Sequence, residues 1–176
     1  MGCDIHCYVE YQVSYFGEEP RWASFGNSIN PGRDYELFAL MADVRNYYSP
    51  RIEPLYPPRG MPDDAALLTR WEDQLYITDE SHASEGSVTR AVADMWLVNG
   101  TTTVSASKAD GVASAVRHPD WHSHSWLNVD EVAALFRVYK AAHKRSVGLE
   151  YRALLSAMRY LKRESTGVRL VFWFDN

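Results

Sequence analysis

Cysteine is scarce in this sequence, in which Cys3 and Cys7 are the only two among 176 residues. If both lie on one extended strand, their Cα atoms are about 13 Å apart at roughly 3.3 Å per residue. A disulfide requires Cα atoms within about 7 Å, so this spacing argues against an internal disulfide. Reduced cysteines are typical of a reducing compartment, and we therefore expect a cytoplasmic protein.

Long apolar runs are also absent. No stretch approaches the ~20 apolar residues of a membrane-spanning helix, and no charged segment followed by an apolar one suggests a signal peptide. We therefore expect no membrane partner. The sequence predicts a single domain over residues 1–176, in which residues 99–117 form a flexible loop or an inserted hairpin.

Positive charge is limited, since 18 lysines and arginines face 23 aspartates and glutamates and the formal net charge is −5. An extended nucleic acid binds mainly through a basic face, so this balance argues against DNA or RNA as a partner. Only four of the 18 basic residues are lysines. Arginine recognises phosphate and carboxylate groups bidentately, which leaves room for a local anion-binding pocket.

Apolar and polar residues alternate at the start of the chain. Over residues 3–13 the odd positions are mostly apolar and the even positions polar, which predicts a strand with one face in the core. A short strand is predicted over residues 21–25. The closing run VRLVFWFDN is apolar on both faces, as expected of a central strand.

Apolar residues between these strands mostly follow helical spacing. Helices are predicted over residues 34–46, 64–76, 128–145 and 149–163, with a short one over 88–97. Asp34 is the expected N-cap of the first, and Asn128 with Glu131 forms a capping-box pattern. We therefore expect a compact α+β fold, with a mixed sheet that includes the N- and C-terminal strands packed with about four helices.

Asp4 and His6 are two residues apart on the first predicted strand, so their side chains point the same way. A carboxylate beside an imidazole can orient a general base or bind a metal ion. The alternative is a strand with a polar outer face.

A second polar cluster lies in the segment RHPDWHSHSWL. If this segment is extended, Asp120, His122 and His124 share one side, and an H-x-H pair can chelate zinc or a similar ion. The alternative is a polar loop in which Ser123 bonds to the backbone. The sequence leaves the cofactor unknown, with a divalent, zinc-like metal as the candidate.

Three arginines form a third group. Arg33 precedes the first predicted helix, Arg45 ends it, and Arg59 lies in a PPRG turn. Proline and glycine neighbours can hold a guanidinium in place for a phosphate or carboxylate. Ion pairing with nearby aspartates is the alternative.

The blocks MGCDIH, NPGRDYELFALMADVRN, PRGMPDD, DWHSHSWL and VRLVFWFDN resemble a family of small uncharacterised proteins found mainly in bacteriophages and prophages. These blocks span the chain, and the family carries no established activity. Its fourth motif has the form D-x-H-S-x-S-W-L, which leaves His124 outside the pattern. The resemblance marks the following residues of this chain: Asp4, His6, Arg33, Asp34, Arg45, Arg59, Asp120, His122, Ser123, Ser125, Trp126, Leu127 and Asp175.

The resemblance implies a phage-encoded protein in the cytoplasm of a bacterial host. Its marked residues suit the binding of a small anionic, nucleotide-like ligand, such as a signalling nucleotide of host immunity that the protein would sequester. The expected ligand-binding residues are Arg33, Arg45, Arg59, Ser123 and Trp126.

Two alternatives remain open at this point. The first is a hydrolase of the phosphodiesterase type, with Asp4, His6 and His122 as catalytic residues and Asp4, His6, Asp120 and His122 as metal ligands. The second is an inhibitor of a host protein. The oligomeric state stays open and includes a homo-oligomer.

Overall fold

Two four-stranded sheets organise the chain in a computed structural model that describes residues 2–14 and 17–176. The described residues form, in chain order, β1 (Ile5–Val13), β2 (Arg21–Ser24), α1 (Tyr35–Ala42), α2 (Leu67–Glu72), β3 (Leu75–Thr78), β4 (Ser87–Thr89), α3 (Arg90–Val98), β5 (Val104–Ser107), β6 (Ala113–Val116), β7 (His122–Asn128), α4 (Val129–His143), α5 (Leu149–Glu164) and β8 (Val168–Phe174). The predicted α+β class is confirmed.

The chain folds into two compact units. The first unit contains the residues up to Leu67 together with His122–Asn176, and its sheet has the order β2-β1-β8-β7. The second unit, Leu68–Trp121, has a sheet of order β4-β3-β6-β5. No described helix is both long and apolar enough to cross a membrane.

The N- and C-terminal strands are direct neighbours in the first unit. β1 and β8 pair antiparallel, with Ile5 opposite Phe174 and Tyr11 opposite Val168. The expectation that both ends of the chain share a sheet is therefore confirmed. The pairs β1–β2 and β7–β8 are also antiparallel, and parallel pairing occurs between β3 and β4 in the second unit.

One face of the first sheet packs against α1, α4 and α5, and we call it the helix face. It carries the odd positions of β1 and the even positions of β8, including Cys7, Phe172 and Phe174, which are all fully buried. Both predicted N-caps are confirmed: Asp34 accepts from the backbone N–H of Leu37, and the capping box of α4 is complete. These caps begin each helix where its apolar stripe meets the sheet.

The opposite face of the sheet is also covered, and we call it the loop face. Tyr8 and Glu10 point to it and are 2% and 0% exposed, so the expectation that β1 has only one buried face is wrong. The reason is that the loop before α2 covers this face, and the backbone N–H of Ala66 in that loop donates to Glu10 Oε1 over 2.8 Å. The backbone N–H of Gly60 likewise donates to the carbonyl of His124 over 3.1 Å.

β7 was not predicted as a strand. Its first half alternates histidine and serine, so it lacks the apolar period that reveals a half-buried strand. Its register with β8 also shifts between His122 and Ser125, and Ser123 has a left-handed φ of 55°. Such a bulge re-aims side chains locally, and here it precedes regular pairing of Trp126 with Val171.

The second unit differs from expectation at α2. The predicted helix over 64–76 shortens to Leu67–Glu72, because residues 75–78 form β3. Residues 99–117 contain β5 and β6, which pair antiparallel as a hairpin. A buried carboxylate, Asp73, holds Arg117 at 2.6 Å and ties the hairpin to the end of α2.

The buried ion pair of Glu10 and Arg169 gives a stability test. Its side chains are 0% and 5% exposed and 2.7 Å apart. Arg169→Met leaves a buried carboxylate without its cation, which should lower the free energy of unfolding by about 3–5 kcal/mol. Urea denaturation measures this change. The exposed Arg163→Met is the control, and equal stability of the two variants would contradict the assignment.

Candidate functional site

Six of the predicted site residues lie at one end of the first sheet, where β1 begins and β8 ends. We call this region the terminal edge. It comprises Gly2, Asp4, His6, Arg33, Arg45, His122, Ser123, Asp175 and Asn176.

Asp4 is held by Arg33 through two hydrogen bonds. Arg33 Nε donates to Asp4 Oδ1 over 2.6 Å, and Arg33 Nη2 donates to Asp4 Oδ2 over 2.7 Å. These bonds to the guanidinium hold the pKa of Asp4 below its ordinary value, although partial burial opposes them. Asp4 is therefore an ionised carboxylate whose charge is offset, and it is not the partner of His6.

His6 instead pairs with Asp175. Its Nε2 lies 3.1 Å from Asp175 Oδ2, and the other oxygen of Asp175 accepts from the backbone N–H of Asp4 over 2.9 Å. The imidazole also stacks on Trp173, with ring centroids 5.4 Å apart. The structure thus forms the expected carboxylate–imidazole pair with a residue from the other end of the chain.

His122 does not join His6 on the same face of the sheet. His122 lies opposite Phe174 and His6 lies opposite Trp173, and successive residues of β8 point to opposite faces. The ring contacts agree, since the imidazole of His122 stacks on Phe174. The predicted catalytic residues His6 and His122 therefore lie on opposite faces of the sheet, because the register places His122 on the helix face.

The imidazole of His122 is half-buried and is held from one side. Its Nδ1 lies 3.0 Å from Ser123 Oγ, whereas Nε2 is buried without a well-aligned hydrogen-bond partner among the described residues. Burial lowers the pKa of His122, and the positive charge of Arg45 lowers it further, although the neighbouring Asn176 favours the charged ring. The ring is therefore neutral at pH 7.

Arg45 makes only neutral contacts. Its guanidinium donates to the carbonyl of Gly2 over 3.0 Å, to Asn176 Oδ1 over 3.1 Å and to the hydroxyl of Tyr47 over 3.0 Å. Its Nε is buried and has no well-aligned acceptor among the described residues, and the neutral thiol of Cys3 also lies beside the guanidinium. Arg33 and Arg59 each pair with a carboxylate, so of these three arginines Arg45 is the one whose charge the described residues leave without a carboxylate partner.

Arg59 and Trp126 lie apart from the terminal edge. Arg59 forms a bidentate pair with Glu131, and its guanidinium lies 4.5 Å from the ring centroid of Trp126. Trp126 is opposite Val171 on the loop face. Val171 precedes Asn176 by five residues, which is about 17 Å of extended chain. The structure therefore divides the predicted ligand-binding set between two regions.

Asp120 belongs to the second unit. Its backbone N–H donates to His118 Nδ1 over 3.1 Å, and its carboxylate is exposed. The described residues contain no group of three or more histidines, cysteines, aspartates or glutamates placed to hold a metal ion. The predicted ligand set of Asp4, His6, Asp120 and His122 is thus not assembled among them.

Two side chains of the terminal edge, those of Asp175 and Asn176, went without a predicted role. Asp175 was marked by the resemblance alone, and Asn176 was not singled out. The expected pairing of the two terminal strands could have pointed to both residues. An antiparallel register places the residues after β8 beside the start of β1, where Asp4 and His6 lie.

The proximity of Arg45 and His122 can be measured by NMR. We expect His122 to titrate below its ordinary pKa of about 6.5, and Arg45→Gln to raise this pKa because a nearby positive charge is removed. Arg33→Gln is the control and should leave it unchanged. In the wild-type protein the free energy of unfolding should fall as the pH drops below about 6.5, since the unfolded chain binds the proton more tightly. An unaltered pKa in Arg45→Gln would show that the two side chains are not coupled.

Comparison of the chain with protein-family models, with curated proteins and with solved structures gives no match in any of the three. The candidate site therefore rests on the geometry of this molecule.

Proposed function

We propose that the protein binds a small anionic ligand at the terminal edge, with a nucleotide phosphate as the expected anion. The observation that carries this proposal is Arg45, whose contacts among the described residues are all neutral and whose buried Nε has no well-aligned acceptor there. A buried donor without an acceptor costs about 1–3 kcal/mol. An anionic oxygen at the edge of the guanidinium would offset its charge and accept a charge-assisted hydrogen bond.

His122 supports the same ligand chemistry. It lies against Asn176, which also accepts from Arg45, and its Nε2 is the second buried nitrogen here without a well-aligned partner. With Nδ1 accepting from Ser123, a neutral imidazole carries its proton on Nε2 and can donate it in a hydrogen bond. Arg45 and His122 would then supply two donors to one anion.

Tyr47 favours a nucleotide over a bare anion. Its hydroxyl accepts from Arg45, and 79% of the residue is exposed. An exposed aromatic face beside a phosphate-binding guanidinium can stack on a nucleobase. For a phage-encoded protein, such binding would serve to sequester a signalling nucleotide of host immunity. This role depends on the resemblance and on the ligand chemistry together.

Calorimetric titration with AMP, ATP and inorganic phosphate tests the binding function. Arg45→Gln should weaken nucleotide binding about tenfold or more, because a hydrogen bond to a charged group is worth about 1.5–3 kcal/mol. Arg51→Gln is the matched control, since Arg51 lies in the same loop and Asp43 already offsets its charge. Absence of binding by every phosphate compound, or equal affinity in both variants, would overturn the proposal.

The pairing of His6 with Asp175 favours a second candidate, a hydrolase that uses acid–base chemistry. A carboxylate 3.1 Å from an imidazole can orient the ring for proton transfer. In this candidate His6 would take a proton from a water molecule that attacks the phosphorus atom, and the leaving oxygen would receive a proton in turn.

Recovery of the ligand separates the two candidates. A nucleotide that is released intact after incubation and heat denaturation supports capture, whereas conversion to product supports the hydrolase. If conversion occurs, His6→Ala should abolish it and Asp175→Asn should lower the rate at least tenfold, since Asp175 orients the ring. His82→Ala, a change in the second unit, is the control and should keep the full rate.

A further inference from the structure

The loop face carries a cavity of about 870 Å³ that the proposed function does not use. This volume lies within the range of roughly 300–1,000 Å³ that is typical of small-molecule sites. Two tryptophans, Trp22 and Trp126, line it together with Arg59, Arg169 and several carboxylates. The carboxyl end of β1 and the amino end of β8 form part of its lining.

Aromatic rings and guanidinium groups alternate along the wall of this cavity. The guanidinium carbon of Arg169 lies 3.8 Å from the ring centroid of Trp22 and 5.9 Å from that of Trp126. Arg59 lies 4.5 Å from the Trp126 ring and 5.8 Å from that of Tyr56. Each ring therefore presents its electron-rich face to a cation, which is the geometry of cation–π attraction.

The arginines in this wall already use their hydrogen-bond donors. Arg59 donates to both oxygens of Glu131 and to the carbonyl of Trp126. Arg169 donates to Glu10 and to the side chain and carbonyl of Asp64. An anionic ligand would therefore have to displace these carboxylates from the two arginines. Because the ligand carries the same charge as the carboxylates, this exchange gains no electrostatic energy.

The charge of the cavity favours a cation instead. Three basic residues and three carboxylates line it, namely Arg59, Lys162, Arg169, Asp63, Asp64 and Asp130. Two further carboxylates that do not line the cavity, Glu10 and Glu131, pair with Arg169 and Arg59 and offset their charges. Asp63 is exposed and lines the cavity. Trp22 and Trp126 are only half-buried, so part of each ring remains open to a ligand.

We infer that this cavity binds a small organic cation with a planar guanidinium or a comparable group. The cation stacks on the open part of Trp22 or Trp126 and pairs with Asp63 at the rim. A guanidinium ligand would contact a tryptophan ring in the same way as Arg59 and Arg169 do. The site is chemically the reverse of the terminal edge, where a guanidinium is left without a carboxylate among the described residues.

NMR titration of the full chain with agmatine tests this inference. We expect shifts of the indole N–H signals of Trp22 and Trp126, and binding that weakens as salt is added, since the interaction is between charges. Asp63→Asn should weaken agmatine at least threefold. Glu53→Gln removes another exposed carboxylate of the first unit and should leave the affinity unchanged.

Adenosine and AMP are the competing probes in the same titration. Neither should shift the two indole signals, because neither carries a positive charge at pH 7. Shifts of these signals with adenosine or AMP, no response to agmatine, or equal agmatine affinity in Asp63→Asn and Glu53→Gln would each overturn the inference. Loss of nucleotide binding in Arg45→Gln leaves these outcomes unaffected, so the two sites are tested separately.

Discussion

The antiparallel pairing of β1 with β8 brings the two ends of the chain into the middle of one sheet. Its register sets His6 next to Trp173 and Glu10 next to Arg169. Directly opposed residues share a face, so this single register decides which polar groups meet. A slip of one residue would exchange the two faces of β8 and would separate both His6 from Asp175 and Glu10 from Arg169.

The two regions on this sheet have opposite electrostatic character. At the terminal edge Arg45 contacts only neutral acceptors among the described residues, so its charge is available to an anion. In the cavity of the loop face the guanidinium groups of Arg59 and Arg169 are fully engaged by carboxylates and rings. The location of an arginine therefore says little about its ligand until its carboxylate partners are known.

Local signals in the sequence predicted several elements well. The capping residues Asp34 and Asn128 each act within three residues of their own position, so no distant contact is needed to recognise them. Other features depended on distant segments. Glu10 is buried because Ala66 and Arg169 satisfy its carboxylate, and β7 is a strand because β8 offers it an edge.

The opening segment MGCDIH separates what the sequence determines from what the tertiary structure determines. Alternation in the sequence by itself determined that Asp4 and His6 share one face, because side chains in a strand alternate whatever lies around them. Only the tertiary structure decided that Asp4 binds Arg33, that His6 binds Asp175 and that His122 lies on the other face. His6 and Asp175 are 169 residues apart, and only the register of β8 between β1 and β7 brings them together and separates them from His122.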